Sequence, residues 1–175
     1  MRRLSLLGLL ILTLSPLCLR ATEARVIQNI DFDWYFYPAD IQDCEMDNSR
    51  FLSWRKVDVP HDYSIEGTYD QKNGRENGFL PGGGVVWYKK ELEWNPLWEG
   101  KKVFIEFDGA YMNSTVWLNG YKLGFYPNGY LGFSYDLTPY LVKGTNVLSV
   151  RLDNSRLPSA RWYSGIGIYR HVNLV

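Results

Sequence analysis

The chain has 175 residues, enough for one ordinary domain with a sizeable core. Its 19 basic and 19 acidic residues cancel to a formal net charge of zero, and no basic stripe is present, which argues against nucleic-acid binding. Two cysteines and two scattered histidines form no ligand cluster, so neither a metal nor a cofactor is expected.

The N-terminus has a layout of its own. Met1-Arg2-Arg3 is a short positive patch, and residues 4–19 are apolar apart from Ser5, Thr13 and Ser15, with Pro16 near the end. Small residues follow at Ala21, Thr22 and Ala24. This pattern predicts a secretory signal peptide over residues 1–24, cleaved after Ala21 or Ala24, and a periplasmic or extracellular product. The apolar run falls short of the roughly 20 residues of a membrane span, so no stable anchor is expected. Ser15-Pro16-Leu17 is a poor approach to a lipidated Cys18. Loss of the leader leaves Cys44 alone; with no histidine near it in sequence to act as base, it reads as a structural thiol.

Residues 32–37, Phe-Asp-Trp-Tyr-Phe-Tyr, are dense in strand formers and stop at Pro38. Residues 39–49 are a polar excursion rich in acids and amides. A short strand is predicted over 54–59, ending at Pro60. Residues 61–84 then form a long loop with six glycines, and loops of that length inside a domain tend to be functional. Strands follow over 85–92 and 102–107, where Val103, Ile105 and Phe107 share a face. Asn119-Gly120 between 115–118 and 121–125 predicts a tight hairpin, because both turn residues tolerate positive φ. A strand is predicted over 130–136, and Thr138-Pro139 with Gly144 marks one helical turn with Thr138 as N-cap. Strands over 146–152 and 168–175 close the chain. Eight or nine short strands with almost no helix predict an all-β, antiparallel sandwich.

Three motifs invite chemistry. Gly82-Gly83-Gly84 lacks the helix N-terminus that a phosphate loop needs; a strand follows. His61, Asp62 and Glu66 could suggest an acid–base set, but neighbouring side chains in extended backbone point apart, so the segment reads as structural. The loop before the last strand, Arg161-Trp162-Tyr163-Ser164-Gly165, places a fork of donors beside flat apolar faces. A sugar asks for that pairing, since its hydroxyls take hydrogen bonds while its C–H face stacks on a ring. The aromatic content of 16%, with 7 Trp and 13 Tyr, suits both a β core and a carbohydrate-facing surface.

Residues 159–170 resemble the end of the N-terminal sugar-binding domain of glycoside hydrolase family 2, the family of β-galactosidases, β-mannosidases and β-glucuronidases. Three further stretches agree in order: Val59-Pro60-His61-Asp62-Tyr63; Leu80-Pro81-Gly82-Gly83-Gly84 leading to Trp87-Tyr88-Lys89-Lys90; and Phe107-Asp108-Gly109-Ala110 through Ser114-Thr115-Val116-Trp117-Leu118-Asn119-Gly120. The Pro-Gly-Gly-Gly and Arg-Trp-Tyr-Ser-Gly forms look most like the β-galactosidase branch. The resemblance implies a jelly-roll sandwich, galactose-binding-domain-like, over residues 25–175. It also implies that the family's two catalytic carboxylates belong to a (β/α)₈ barrel lying outside this sequence, which has no such strand–helix alternation. By itself the chain is then expected to be catalytically silent, the parent being an exported retaining glycosidase.

The substrate-binding residues carried over are Arg161, Trp162 and Tyr163, for a terminal β-linked sugar. Asp62 and residues 78–84 are a second loop that could approach the same site. The expected partners are carbohydrate and the barrel of the same enzyme. A stand-alone carbohydrate-binding module, or a domain that only braces a barrel, would use the same fold.

Overall fold

The computed structural model describes residues 25–47, 50–75, 77–156 and 161–175; the predicted leader, residues 1–24, and Pro158-Ser159-Ala160 of the last loop lie outside them. The described residues form two antiparallel sheets and no α-helix. The strands are β1 (Gln28–Asn29), β2 (Trp34–Tyr37), β3 (Arg55–Val57), β4 (Val85–Glu93), β5 (Phe104–Phe107), β6 (Ser114–Leu118), β7 (Tyr121–Tyr126), β8 (Phe133–Asp136), β9 (Thr145–Asp153) and β10 (Val172–Leu174). A four-stranded sheet runs β1-β10-β5-β8 and a six-stranded sheet runs β3-β2-β4-β9-β6-β7. The all-β sandwich predicted from the sequence is the fold observed.

The core lies between the sheets. Trp34, Phe36 and Tyr88 from one side meet Ile105, Phe107 and Leu174 from the other, with Leu148, Val150 and Leu152 inward on β9 as their alternation predicts. β4 and β9 pair along their full nine-residue lengths, from Val85↔Asp153 to Glu93↔Thr145. The outer face of the six-stranded sheet is not left to water. Residues 38–47 and 50–54 cross it as a strap: Phe51 packs on Tyr35 and Val147, Asp40 accepts from Arg151 and from the Trp87 indole, and Met46 reaches Gly120. The strap explains why Lys89, pointing outward from β4, is fully buried. Its ammonium donates to the carbonyls of Cys44 (2.6 Å) and Asp47 and lies over the Phe51 ring; burial holds its pKa below the ordinary value. Cys44, also buried, has its thiol pushed up to about 11, chiefly by burial.

The predicted hairpin is there, with φ of 52° at Asn119 and 82° at Gly120. Asn119 does more than turn: its Oδ1 accepts from Val147 N (2.9 Å) and its Nδ2 donates to Asn146 Oδ1 (2.8 Å). Several boundaries differ from expectation; the last strand, expected over 168–175, is only Val172–Leu174, because the Ile168 carbonyl is taken by His61 N and not by a strand of the sheet. β2 starts at Trp34 because Asp33 is left-handed (φ 60°). β8 starts at Phe133, since Asn128 Oδ1 accepts from the backbone of Tyr130 and Leu131 and bends residues 128–131 into a turn. Thr138 opens a 3₁₀ turn (Thr138–Tyr140) without capping it; its hydroxyl accepts from Val103 N. No helix among the described residues is long and apolar enough to cross a membrane.

Candidate functional site

The last loop splits into an anchored half and an open half. Residues 166–168 are held by backbone bonds on both sides. His61 N donates to Ile168 O (2.8 Å) and Tyr63 N to Ile166 O (2.9 Å), while Tyr111 and Gly167 exchange backbone bonds of 2.9 and 3.2 Å. The approach is so close that a Cβ at Gly167 would run into the His61 carbonyl, which is the reason for glycine there.

Asp62 ties the two loops together. Its Oδ1 accepts from Ser64 N (3.0 Å), capping the 3₁₀ turn Tyr63–Glu66, and from Ile166 N (3.0 Å). Its Oδ2 accepts from the Tyr163 hydroxyl. Partial burial, then this carboxylate, raise the Tyr163 pKa, so the phenol stays a donor. Gly78 faces the same ring, with 3.8 Å from its Cβ position to Tyr163 Cδ2.

His61 and Asp62 diverge as expected of neighbours in extended backbone. His61 Nδ1 bonds the Tyr88 hydroxyl (2.6 Å) and Nε2 bonds Glu66 Oε1 (3.0 Å). Glu66 also takes Arg55 Nη2. Partial burial would raise the Glu66 pKa, but Arg55 and His61 together outweigh it and keep the carboxyl ionised. These groups are spent on one another, as a structural segment requires. The glycine run behaves likewise: Gly84 O accepts from Asn154 N (2.9 Å) and leads straight into β4, with no helix after it.

The open half carries the three residues the sequence singles out. Trp162 is 61% exposed, and its indole donates to the Tyr130 hydroxyl (3.0 Å). Tyr130 stands edge-on to Tyr111 (5.4 Å, 67°), and Tyr169 donates to Gly129 O (2.8 Å). Arg161 is exposed and makes no ion pair to a described residue. Arg161, Trp162 and Tyr163 are consecutive, exposed residues at the rim of this loop, the indole bonded to Tyr130 and the phenol to Asp62. Sequence reasoning missed Tyr130 and Tyr111 as supports. The run Pro127-Asn128-Gly129 was a usable signal, because Asn-Gly favours a turn and would have ended the strand before Tyr130. Chemically the rim offers ring faces and guanidinium donors. Among the described residues no group of three or more His, Cys, Asp or Glu is placed to hold a metal ion.

Known proteins share this arrangement of sheets and loops. The family model described as "Glycosyl hydrolases family 2, sugar binding domain" matches residues 27–175. Over 151 residues the chain is 48% identical to beta-galactosidase BoGH2A of Bacteroides ovatus, a match covering 85% of this chain and 18% of that protein. It is 40% identical over 167 residues to a putative beta-glucuronidase of Formosa agariphila, covering 95% of this chain and 16% of the relative. Among solved structures, a beta-glycosidase from Bacteroides vulgatus superposes with a TM-score of 0.82 at 44% identity, over 86% of this chain and 20% of that one. The chain therefore spans less than a fifth of the length of the two relatives.

Proposed function

Because this chain belongs to glycoside hydrolase family 2, as its sugar-binding domain, we propose that it serves an exported, β-galactosidase-like retaining glycosidase by presenting Arg161, Trp162 and Tyr163 to the terminal sugar. The carrying observation is the exposed Trp162, oriented by its bond to Tyr130, beside an Arg161 with no described acid to neutralise it. An indole left 61% exposed adds little to a core, yet it is fixed in direction, which lowers the entropy cost of stacking a sugar on it. Tyr163, held by Asp62, adds a second pre-set ring.

In this proposal the chain binds and orients, while cleavage comes from two carboxyl groups outside it, set about 5–5.5 Å apart for a retaining reaction. The galactoside preference rests on the 48% identity to a beta-galactosidase, against 40% to a putative beta-glucuronidase. Export rests on the leader pattern of residues 1–24.

The experiment is Arg161→Ala in the full-length gene product, assayed with an aryl β-galactoside while the melting temperature is recorded. A charge-assisted hydrogen bond is worth about 1.5–3 kcal/mol, so kcat/KM should fall about 10-fold or more with the melting temperature unchanged. Unaltered kinetics would remove Arg161 from the site.

A further inference from the structure

The rim carries more exposed ring than one sugar uses. Trp162 is 61% exposed and Tyr163 37%, and beyond the indole Tyr130 is 45% exposed. A pyranose is about as wide as one six-membered ring, so a single terminal sugar does not cover all of these faces.

Tyr130 belongs to neither core cluster of the described residues, yet it is fixed from several sides. Its backbone N donates to Asn128 Oδ1 (2.7 Å). Its ring stands edge-on to Tyr111, which is buried and bonded through its backbone to Gly167. Its hydroxyl accepts from Trp162 Nε1 (3.0 Å). Gly129 closes the turn beneath it: a Cβ there would lie 2.2 Å from Tyr111 Cδ2, and the Gly129 carbonyl accepts from the Tyr169 hydroxyl. An exposed ring held this firmly loses little freedom when a ligand settles on it.

The bond between the two side chains also sets their relation. An indole N–H and a phenol hydroxyl both lie at ring edges, so the bond joins the rings through their edges and leaves faces open to solvent. Two rings linked edge to edge match the two linked rings of a disaccharide. We propose that Tyr130 is a specificity-determining sugar contact: Trp162 takes the terminal β-linked sugar and Tyr130 the sugar joined to it, so that the domain selects a β-linked disaccharide over a simple glycoside. This assignment rests on the rim reading above and extends it by one sugar.

The test compares a β-linked galactose disaccharide with methyl β-galactoside, which has no second ring, as substrates of the full-length gene product. The wild type should show the lower KM for the disaccharide. Tyr130→Phe keeps the ring but removes the hydroxyl that holds the indole, so KM should rise by the same factor for both substrates. Tyr130→Ala removes the ring as well, and the disaccharide KM should rise about tenfold further than that of the methyl glycoside. If Tyr130→Ala lowers the melting temperature, Tyr130→Leu, which keeps apolar bulk against Tyr111 without a flat face, replaces it and should show the same extra loss. A wild type that does not favour the disaccharide overturns the proposal. So does an equal effect of the ring-removing variant on both substrates, which would leave Tyr130 as a positioning residue for Trp162 alone. Failure of the rim reading appears separately, as wild-type kinetics of Arg161→Ala on either substrate.

Discussion

Replacing Asp62 by Ala should release the last loop, and the cost can be worked from three bonds. Asp62 Oδ1 accepts from Ser64 N and Ile166 N, each at 3.0 Å, and Oδ2 accepts from the Tyr163 hydroxyl. Ile166 is buried (1% exposed), so its N–H has no ready water; an orphaned buried donor costs about 1–3 kcal/mol. Loss of the cap on the Tyr63–Glu66 turn adds about 0.5–2 kcal/mol. The exposed Tyr163 hydroxyl can turn to water and adds little. A total of about 1.5–5 kcal/mol in a domain of this size lowers the melting temperature by about 3–20 °C. Asp62→Asn is the control, because its Oδ1 still accepts both backbone bonds and its Nδ2–H can donate to the Tyr163 oxygen; it should stay within about 1 kcal/mol of wild type. Thermal unfolding followed by circular dichroism reads both variants. If Asp62→Ala melts with the wild type, Asp62 does not clamp the loop and the reasoning fails.

Lys89→Ala should destabilise the protein by about 1–3 kcal/mol for each buried carbonyl it orphans, and limited proteolysis should then cut within residues 38–54 before any other segment. The His171–Asp31 pair (2.6 Å) should make stability pH-dependent at both ends. The bond and charge of Asp31 raise the His171 pKa above 6.5, so this contribution is complete below 6.5 and fades as pH climbs through the raised value. Burial would raise the Asp31 pKa, but its bonds to Val172 N–H and neighbours bring it below 3.8, so its contribution is present above 3.8 and fades as pH falls through the lowered value. The melting-temperature gap between wild type and His171→Asn should therefore narrow from pH 6 to pH 9; a constant gap refutes the linkage. N-terminal sequencing of protein from the native host should begin at Thr22 or Arg25, and a mature chain starting at Met1 would end the leader proposal.

Much of the sandwich was legible because its strands carry period-two patterns. Leu148, Val150 and Leu152 announced the inward face of β9, and Asn119-Gly120 announced its hairpin. The strap was not legible. A polar run such as residues 39–49 normally signals solvent, and only the folded chain shows Asp40 on Arg151 and two strap carbonyls on Lys89. These are contacts between residues more than 40 positions apart, and no local pattern encodes them. β1 escaped notice for a related reason: two exposed residues, Gln28 and Asn29, become a strand only because β10 is there to pair with them. At the rim, Arg161, Trp162 and Tyr163 stood out as a donor fork among rings in an irregular loop. Their supports did not, since Tyr130 and Tyr111 are ordinary aromatics until a turn brings them to the indole.

The two-sided pairing of residues 166–168 has a mechanical consequence. A tether fastened to both neighbouring loops stops strain at the rim from travelling into β10 and the sheet beyond it. Replacements at residues 161 to 164 should therefore alter the proposed recognition surface at little expense to folding, whereas a side chain added at Gly167 pushes His61 away and loosens the tether itself. A designer wishing to retune the sugar preference would randomise the tip and leave the tether alone. Folding yield across such a library should track changes at 165–168 and stay level across 161–164.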